Sequence, residues 1–387
     1  MCMGPAAMDE YDEFVGQWWN PTRSSECRHH HAALCRVEPE SLVLRQSNRA
    51  KHCRPRGRRR VKWQSQQSSP NVRIRTMIHI DYEREGEVMK LARLAVDNSV
   101  VVAEVLADGD YVVIGEGGQD LLLEAARCRG DMATDGTKVP RDRARVLAPV
   151  PRPPSIRDFF AFEQHMRASR ASAGNEPDPG WYEQPYFYFT NPAAVLGPDE
   201  VVRPPRGTRA LDYELEVAAV IGSEASDLDA ADPRALDCVV GYTILNDWSA
   251  RDIQGREMKQ NIGPQKAKDF ATSVGPWLVT PDELPFADPA RPRGRMRASV
   301  NGELWSDGEM SDIYFPWSRL VSHASQDTAL LPGDLLGSGT CGTGCVLELR
   351  GSGLRDTRHW LRENDVVELE VDGLGVLANR IGVSASS

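Results

Sequence analysis

Long apolar runs are missing from this 387-residue chain although 41% of its residues are hydrophobic. A helix that crosses a bilayer needs about 20 consecutive apolar residues, so no membrane span is expected. The first residues are acidic and hold no apolar segment of the kind a secretory signal requires. No serine stands in a nucleophile elbow. The stretch from Gly337 to Gly344 is rich in glycine but lacks the lysine of a phosphate loop, and it follows the turn Pro332-Gly-Asp334; it reads as a tight turn beside a substrate pocket. The eight cysteines are not set out as a metal finger or a secretory framework. Cys27, Cys35 and Cys53 have the wrong spacing for zinc, and Cys128, Cys238, Cys341 and Cys345 are scattered. A reducing cytoplasm is therefore the expected compartment. Cys341 reads as a buried small residue rather than a nucleophile. Internal repeats are absent as well.

Charge is unevenly spread. The net charge is −10, yet residues 1–76 hold 14 Lys/Arg against 7 Asp/Glu, which leaves −17 on the remainder. That head carries His29-His30-His31 and a basic run from Arg54 to Arg60, with no aromatic or helical framework that would read a nucleic acid, so no such partner is expected. Its composition cannot bury much apolar surface, and residues 1–88 are expected to be disordered, with Met77 or Met89 as an alternative start of the native chain. Deleting residues 1–76 should leave the melting temperature and kcat/KM unchanged, a point that calorimetry and steady-state rates decide.

Regular periodicity begins at Met89. Two β-rich runs flank a turn at Gly109-Asp110. Residues 89–150 are expected to form a small β-rich domain with one helix around Leu121–Arg127, and the proline-rich stretch Pro149–Pro154 to link it to a catalytic domain over 155–387. Mixed strands, few long helices and turn signals such as Asn301-Gly place the chain in the α+β class, mainly β.

What the chain does have is a group of acids in recognisable settings. In Leu211–Val217 apolar residues alternate with Asp212, Glu214 and Glu216, the period of a strand with one buried face, so the three acids share a side. Carboxylates about 4 Å apart repel by roughly 4 kcal/mol at an effective dielectric near 20, so such a stack calls for a cation. All-oxygen donors select Mg²⁺, with Ca²⁺ and Mn²⁺ as alternatives. Asp247 closes a second apolar run, and Ser249 to Asp252 reads as a helix-capping box. Arg251 and Gln254, three apart on that helix, would share a face. Asp158 and His165 are seven apart, two turns on one face if the segment is helical, and of the histidines after residue 89 only His165 sits beside a candidate ligand.

Taken together, Glu214-Leu-Glu216, Asn246-Asp-Trp-Ser-Ala-Arg-Asp-Ile-Gln254, Lys268, Gly275-Pro-Trp-Leu-Val-Thr280, the run from Leu330 to Thr340 and Leu347-Glu-Leu349 resemble the fumarylacetoacetate hydrolase family over about residues 89–381. The resemblance implies a mixed β-roll catalytic domain, a Mg²⁺ or Ca²⁺ ion and a homodimer. By position, Asp158, Glu214, Glu216 and Asp247 match the metal ligands and His165 the general base. Arg251, Gln254 and Lys268 match the groups around the substrate oxyanion, Thr340 a substrate contact, and Glu348 the acid that orients the histidine. Ala168 stands where members acting on acylpyruvates and oxaloacetate carry an acid, which turns the expectation towards a His165–Glu348 pair. Tyr186, Tyr188, Arg167 and Arg170 are candidates to meet the substrate tail.

The activity these parts imply is hydrolysis of a carbon–carbon bond in a small 1,3-dicarbonyl such as an acylpyruvate. His165 would activate water, and the cation would polarise the carbonyl. A decarboxylase, hydratase or isomerase of 2-oxo acids is the alternative on the same scaffold. A non-catalytic protein holding a structural Ca²⁺ is the alternative of another class, and the His165 and Glu348 settings speak against it.

Overall fold

The computed structural model describes residues 89–384 apart from 129–131, 133, 135, 285–287, 289 and 352–358. The basic head, expected to be disordered, lies outside the described residues. Among the described residues, no helix is long and apolar enough to cross a membrane.

The β-branched runs after Met89 form β1 (Lys90–Val96), β2 (Ser99–Val105) and β3 (Tyr111–Glu116), an antiparallel meander. Asp97 turns the first hairpin at φ 50°, a backbone conformation that Asp and Asn tolerate better than most residues. Helix α1 (Gln119–Arg127) covers the helix expected from the sequence, and its apolar side buries Leu122, Leu123, Ala125 and Ala126.

Next come β4 (Ile156–Phe159), α2 (Glu163–Ser172) and β5 (Phe187–Thr190), then β6 (Leu215–Ile221), β7 (Val239–Asp247), α3 (Arg251–Glu257) and β8 (Thr272–Val279). The chain continues through β9 (Arg295–Val300), β10 (Glu303–Glu309), α4 (Trp317–Ser325), β11 (Leu335–Gly337), α5 (Val346–Gly351), β12 (Val366–Val371) and β13 (Gly375–Ile381). Asn301 and Gly302 both adopt positive φ between β9 and β10, as the sequence signal for a tight hairpin requires.

Twelve strands form one mixed sheet in which β3, β2, β1, β8, β7, β6, β11, β4 and β5 lie side by side. The 89–150 segment joins this sheet directly, since Lys90 and Leu91 of β1 pair with Val279 and Leu278 of β8. Strands β10, β9, β12 and β13, with Val201–Val202 at the edge, make a five-stranded second sheet.

The two faces of the large sheet are covered by different partners. Val217, Ala219 and Ile221 of β6 share a cluster with Met296, Ala298, Leu369 and Leu377 of the second sheet. Val220 joins Ile156, Leu335 and the buried side of α1. β6 and β7 are therefore buried along their whole length, and the strand that sequence alternation suggested was half-exposed has no solvent face. Its acids are enclosed, which sharpens the need for a counter-charge.

Trp248, fully buried immediately after β7, donates its indole N–H to Ser273 Oγ at 2.8 Å. Truncating a ring of this kind costs about 3–5 kcal/mol, and here it would loosen the strand end that carries Asp247.

Candidate active site

Glycine at one strand position lets two acids meet. Strand β11 lies between β4 and β6, with Gly337 opposite Asp158 on one side and Ala218 on the other. A β-carbon at 337 would stand 2.3 Å from Asp158 Oδ1 and 3.2 Å from Glu216 Oε2. Because residue 337 has no side chain, the Asp158 and Glu216 carboxylates approach each other across it. Asp247 at the end of β7 completes the group, and the three carboxylates offer oxygens all within 4.8 Å of one another.

The loop after β11 closes round the same acids. Gly339, at φ 78° and too close to Phe159 O to carry a side chain, donates its N–H to Glu216 Oε2 at 3.0 Å. The Thr340 hydroxyl donates to Glu216 Oε1 at 3.3 Å. The glycine-rich stretch is thus a tight turn at the site, as read from the sequence, and Thr340 is committed to a carboxylate.

Glu214, matched by resemblance to the ligand set, is placed differently from the other three. Its Oε1 accepts from Arg251 Nη2 at 2.7 Å and its Oε2 from the ammonium of Lys268. Lys268 also pairs with Asp247. The loop that presents this lysine is fastened by Glu257, whose carboxylate accepts the backbone N–H groups of Gln265, Lys266 and Ala267. That places residue 268 on the acids while Ala267 packs in the core. Arg251 donates Nε to Asp212 Oδ2 at 2.8 Å and Nη1 to Gln254 Oε1 at 3.0 Å, so Arg251 and Gln254 do share a face of α3.

His165 stands beside this network at the start of α2. Its Nδ1 is 3.6 Å from Glu348 Oε1 and its Nε2 is 3.9 Å from Glu214 Oε1. Glu348 rides on α5, which packs against α2. The ring of Phe160 meets the imidazole edge-on at 5.3 Å.

Two local expectations are corrected. Asp158 lies on β4 and His165 on α2, so the two are not on one helix; the chain turns between them at Phe160–Phe162. Ser249 is not a helix cap: Ser249–Ala250 pair as a short strand with Leu211–Asp212, and the hydroxyl donates back to Asp247 O. Asp252 accepts from Thr208 Oγ1 and the Arg209 N–H instead. Tyr186 is 44% exposed and donates its hydroxyl to Gly180 O. Tyr188, two residues on and paired with Asp158 in the β4–β5 register, donates to Asp247 Oδ2 at 2.6 Å. Strand alternation would have put Tyr186 and Tyr188 on one side, but only the register shows which of them reaches the acids.

Alternation groups Asp212 with Glu214 and Glu216 on one strand, but Leu211–Asp212 is a separate short strand from β6, so the three acids do not line one face of a single strand. The Asp212 carboxylate accepts the N–H groups of Val346 and Leu347 at 2.7 and 3.0 Å while holding Arg251. One side chain thus ties the first turn of α5, and with it Glu348, to the cation that faces Glu214.

The electrostatics divide the acids into two kinds. Burial, then the charge of Asp247, lifts the Asp158 carboxyl well above its ordinary range. Burial and Asp158 do the same to Glu216. Asp247 is raised by burial in spite of Lys268. Burial also pushes Glu214 upward, but Arg251, Lys268 and His165 outweigh it and hold this carboxyl below its usual range. Asp158, Asp212, Glu214, Glu216 and Asp247 set five carboxyls against the two cations Arg251 and Lys268. Two ionised carboxylates at the separation of this trio repel by roughly 3 kcal/mol.

A pH dependence follows. For Asp158, Glu216 and Asp247 the folded pKa exceeds the unfolded one, so the metal-free folded state binds more protons and loses stability as pH rises through the raised values. Glu214, shifted down, adds no slope where it is ionised in both states. The melting temperature of chelator-treated protein should therefore fall as pH rises from the ordinary carboxylate range through the raised values, and added Mg²⁺ should restore it most at the upper end. Calorimetry at several pH values checks this, and a metal-independent, flat profile would contradict it. Gly337→Ala should lower Mg²⁺ affinity by roughly 10-fold or more, because the new methyl displaces Asp158; titration calorimetry reads the change.

The comparisons with known proteins agree with this architecture. The family model of the fumarylacetoacetate hydrolase C-terminal region matches residues 155–382. Oxaloacetate tautomerase YisK of Bacillus subtilis is 33% identical over 239 residues, 62% of this chain and 73% of that protein. A mitochondrial oxaloacetate tautomerase of Bos taurus is 33% identical over 257 residues, 65% of this chain and 74% of its own. Among solved structures, 2-hydroxyhepta-2,4-diene-1,7-dioate isomerase from Mycobacterium marinum matches with a TM-score of 0.58 at 26% identity, over 77% of this chain and 100% of that one. Fumarylacetoacetate hydrolase from Exiguobacterium antarcticum matches with a TM-score of 0.59 at 26% identity, over 76% and 99%.

Proposed function

Because the chain belongs to the fumarylacetoacetate hydrolase family, we propose that it works with a divalent cation to move a proton at the carbon next to the oxo group of a small 2-oxo acid, as a tautomerase or isomerase. The observation that carries this reading is the placing of His165: one ring nitrogen faces Glu348, and the other is turned to the acid network. A base backed by a carboxylate and directed at the site is what proton abstraction needs. The named activities of the two oxaloacetate tautomerases and the isomerase above support it.

Asp158, Glu216 and Asp247 fit the ion. Asp158 Oδ1 and Asp247 Oδ1 are buried and accept no hydrogen bond, an arrangement that is costly for carboxylates unless a cation takes those lone pairs. The donors are all oxygen, which favours Mg²⁺, with Ca²⁺ and Mn²⁺ as the other hard ions of this type. Bound there, the cation would supply Lewis acidity that stabilises a developing enolate.

The chain's own groups do the rest. His165 takes the proton from carbon and returns it to oxygen or to another carbon, while Glu348 steadies the protonated imidazole. Arg251 and Lys268, held by Asp212, Glu214 and Asp247, place fixed positive charge beside the developing enolate. Gln254 accepts from Arg251 through its oxygen, which leaves its amide N–H groups for a substrate oxygen.

Hydrolysis of a carbon–carbon bond in an acylpyruvate is the second reading. It is favoured by the same His165–Glu348 contact, which also suits activation of water. Product analysis of the Mg²⁺-loaded protein on oxaloacetate, acylpyruvates and fumarylacetoacetate separates the two. Faster enol–keto interconversion with no new acid fragment is the expected result. Stoichiometric release of two carboxylic acids from an acylpyruvate would establish the hydrolase instead.

A further inference from the structure

A cysteine lies against the histidine–glutamate pair. Cys345, immediately before α5 and fully buried, has its Sγ 4.0 Å from His165 Nδ1. His165, Cys345 and Glu348 offer nitrogen, sulfur and oxygen atoms all within 4.8 Å of one another. Both Glu348 oxygens are buried and accept no hydrogen bond.

Tetrahedral zinc with bonds of about 2.0 Å to N or O and about 2.3 Å to S sets its ligands about 3.3–3.6 Å apart. The Nδ1–Oε1 separation of 3.6 Å and the Sγ–Nδ1 separation of 4.0 Å are within a few tenths of an ångström of that. We propose that His165, Cys345 and Glu348 form a second metal site, selective for zinc, whose occupation takes the base out of action.

The donor set is distinct from the all-oxygen trio. A thiolate and an imidazole prefer Zn²⁺ over Mg²⁺, so each ion has its own place in the same protein. Three protein ligands leave a fourth position for water. On binding, the Cys345 thiol releases one proton to solvent and the sulfur bonds the ion. Nδ1 of His165 then faces zinc, and Glu348 no longer steadies the imidazole. The site itself stands apart from the functional reading; only its effect on turnover rests on His165 being the base.

Cobalt is the probe. With the acidic trio held saturated by excess Mg²⁺, Co²⁺ should give a thiolate-to-cobalt charge-transfer band that saturates at one ion per chain. Cys345→Ser should abolish the band and Cys341→Ser should retain it. Zn²⁺ should displace the cobalt, and its affinity should drop by roughly 100-fold or more in Cys345→Ser. Under the same conditions Zn²⁺ should inhibit the wild type but not Cys345→Ser, whose basal turnover is expected to persist. Should the serine variant fail to fold, as circular dichroism would show, Cys345→Ala takes its place. Absence of the band in the wild type, or its survival in the Cys345 variant, overturns the site. A band with no inhibition by zinc keeps the site and overturns instead the role of His165 as base.

Discussion

Asp247→Asn is expected to lower Mg²⁺ affinity by roughly 100-fold or more and to abolish turnover at ordinary metal concentrations. The carboxylate is one of three whose oxygens lie close together in a buried group, and it also accepts from Tyr188 and Lys268. An amide keeps the size of the side chain but removes the charge and one acceptor. Glu214→Gln should behave differently. It leaves Arg251 and Lys268 without part of their counter-charge in a buried setting, a loss of about 3–5 kcal/mol for a broken buried pair, while direct ligation of the ion by the trio survives. Calorimetric titration together with thermal melts distinguishes the two outcomes. Equal metal affinity in Asp247→Asn and the wild type would remove Asp247 from the ligand set.

The second large effect is on chemistry alone. His165→Ala should reduce kcat by roughly 100-fold or more, as loss of a general base does, with Mg²⁺ affinity close to that of the wild type. The imidazole is 3.9 Å from Glu214 and belongs to no part of the acid trio, so its removal spares the ion. Glu348→Gln should act in the same direction more mildly, because it weakens support for the protonated ring without removing the ring. Steady-state rates paired with metal titrations give the comparison. Undiminished turnover in the histidine variant would assign the base elsewhere.

How far the site could be read in the sequence depends on the residue. Glu216 and Asp247 stood at the ends of apolar runs that do become β6 and β7, and their acidity was visible there. Local spacing could not show that Asp158 meets Glu216, because that contact exists only through the parallel pairing of β4 with β11 and the missing side chain of Gly337. Pairing between strands so far apart along the chain leaves no periodic trace. Glu214 looked equivalent to Glu216 in alternation, yet its environment is set by Lys268 and Arg251, which arrive from a loop and a helix downstream. The capping box at Ser249 failed because backbone pairing with Leu211–Asp212 took the residues that would have begun a helix. Asp212, Tyr188 and Cys345 gain their places by tertiary contact alone.

The most direct measurement is hydrogen exchange at the carbon next to the oxo group of oxaloacetate, followed by nuclear magnetic resonance in deuterated buffer. Wild-type protein with Mg²⁺ should wash deuterium into that position well above the uncatalysed rate. The same protein treated with chelator, and His165→Ala with Mg²⁺, should both fall to near background. Exchange that persists without metal, or that proceeds undiminished without the imidazole, would contradict proton transfer by His165 beside a cation held by Asp158, Glu216 and Asp247.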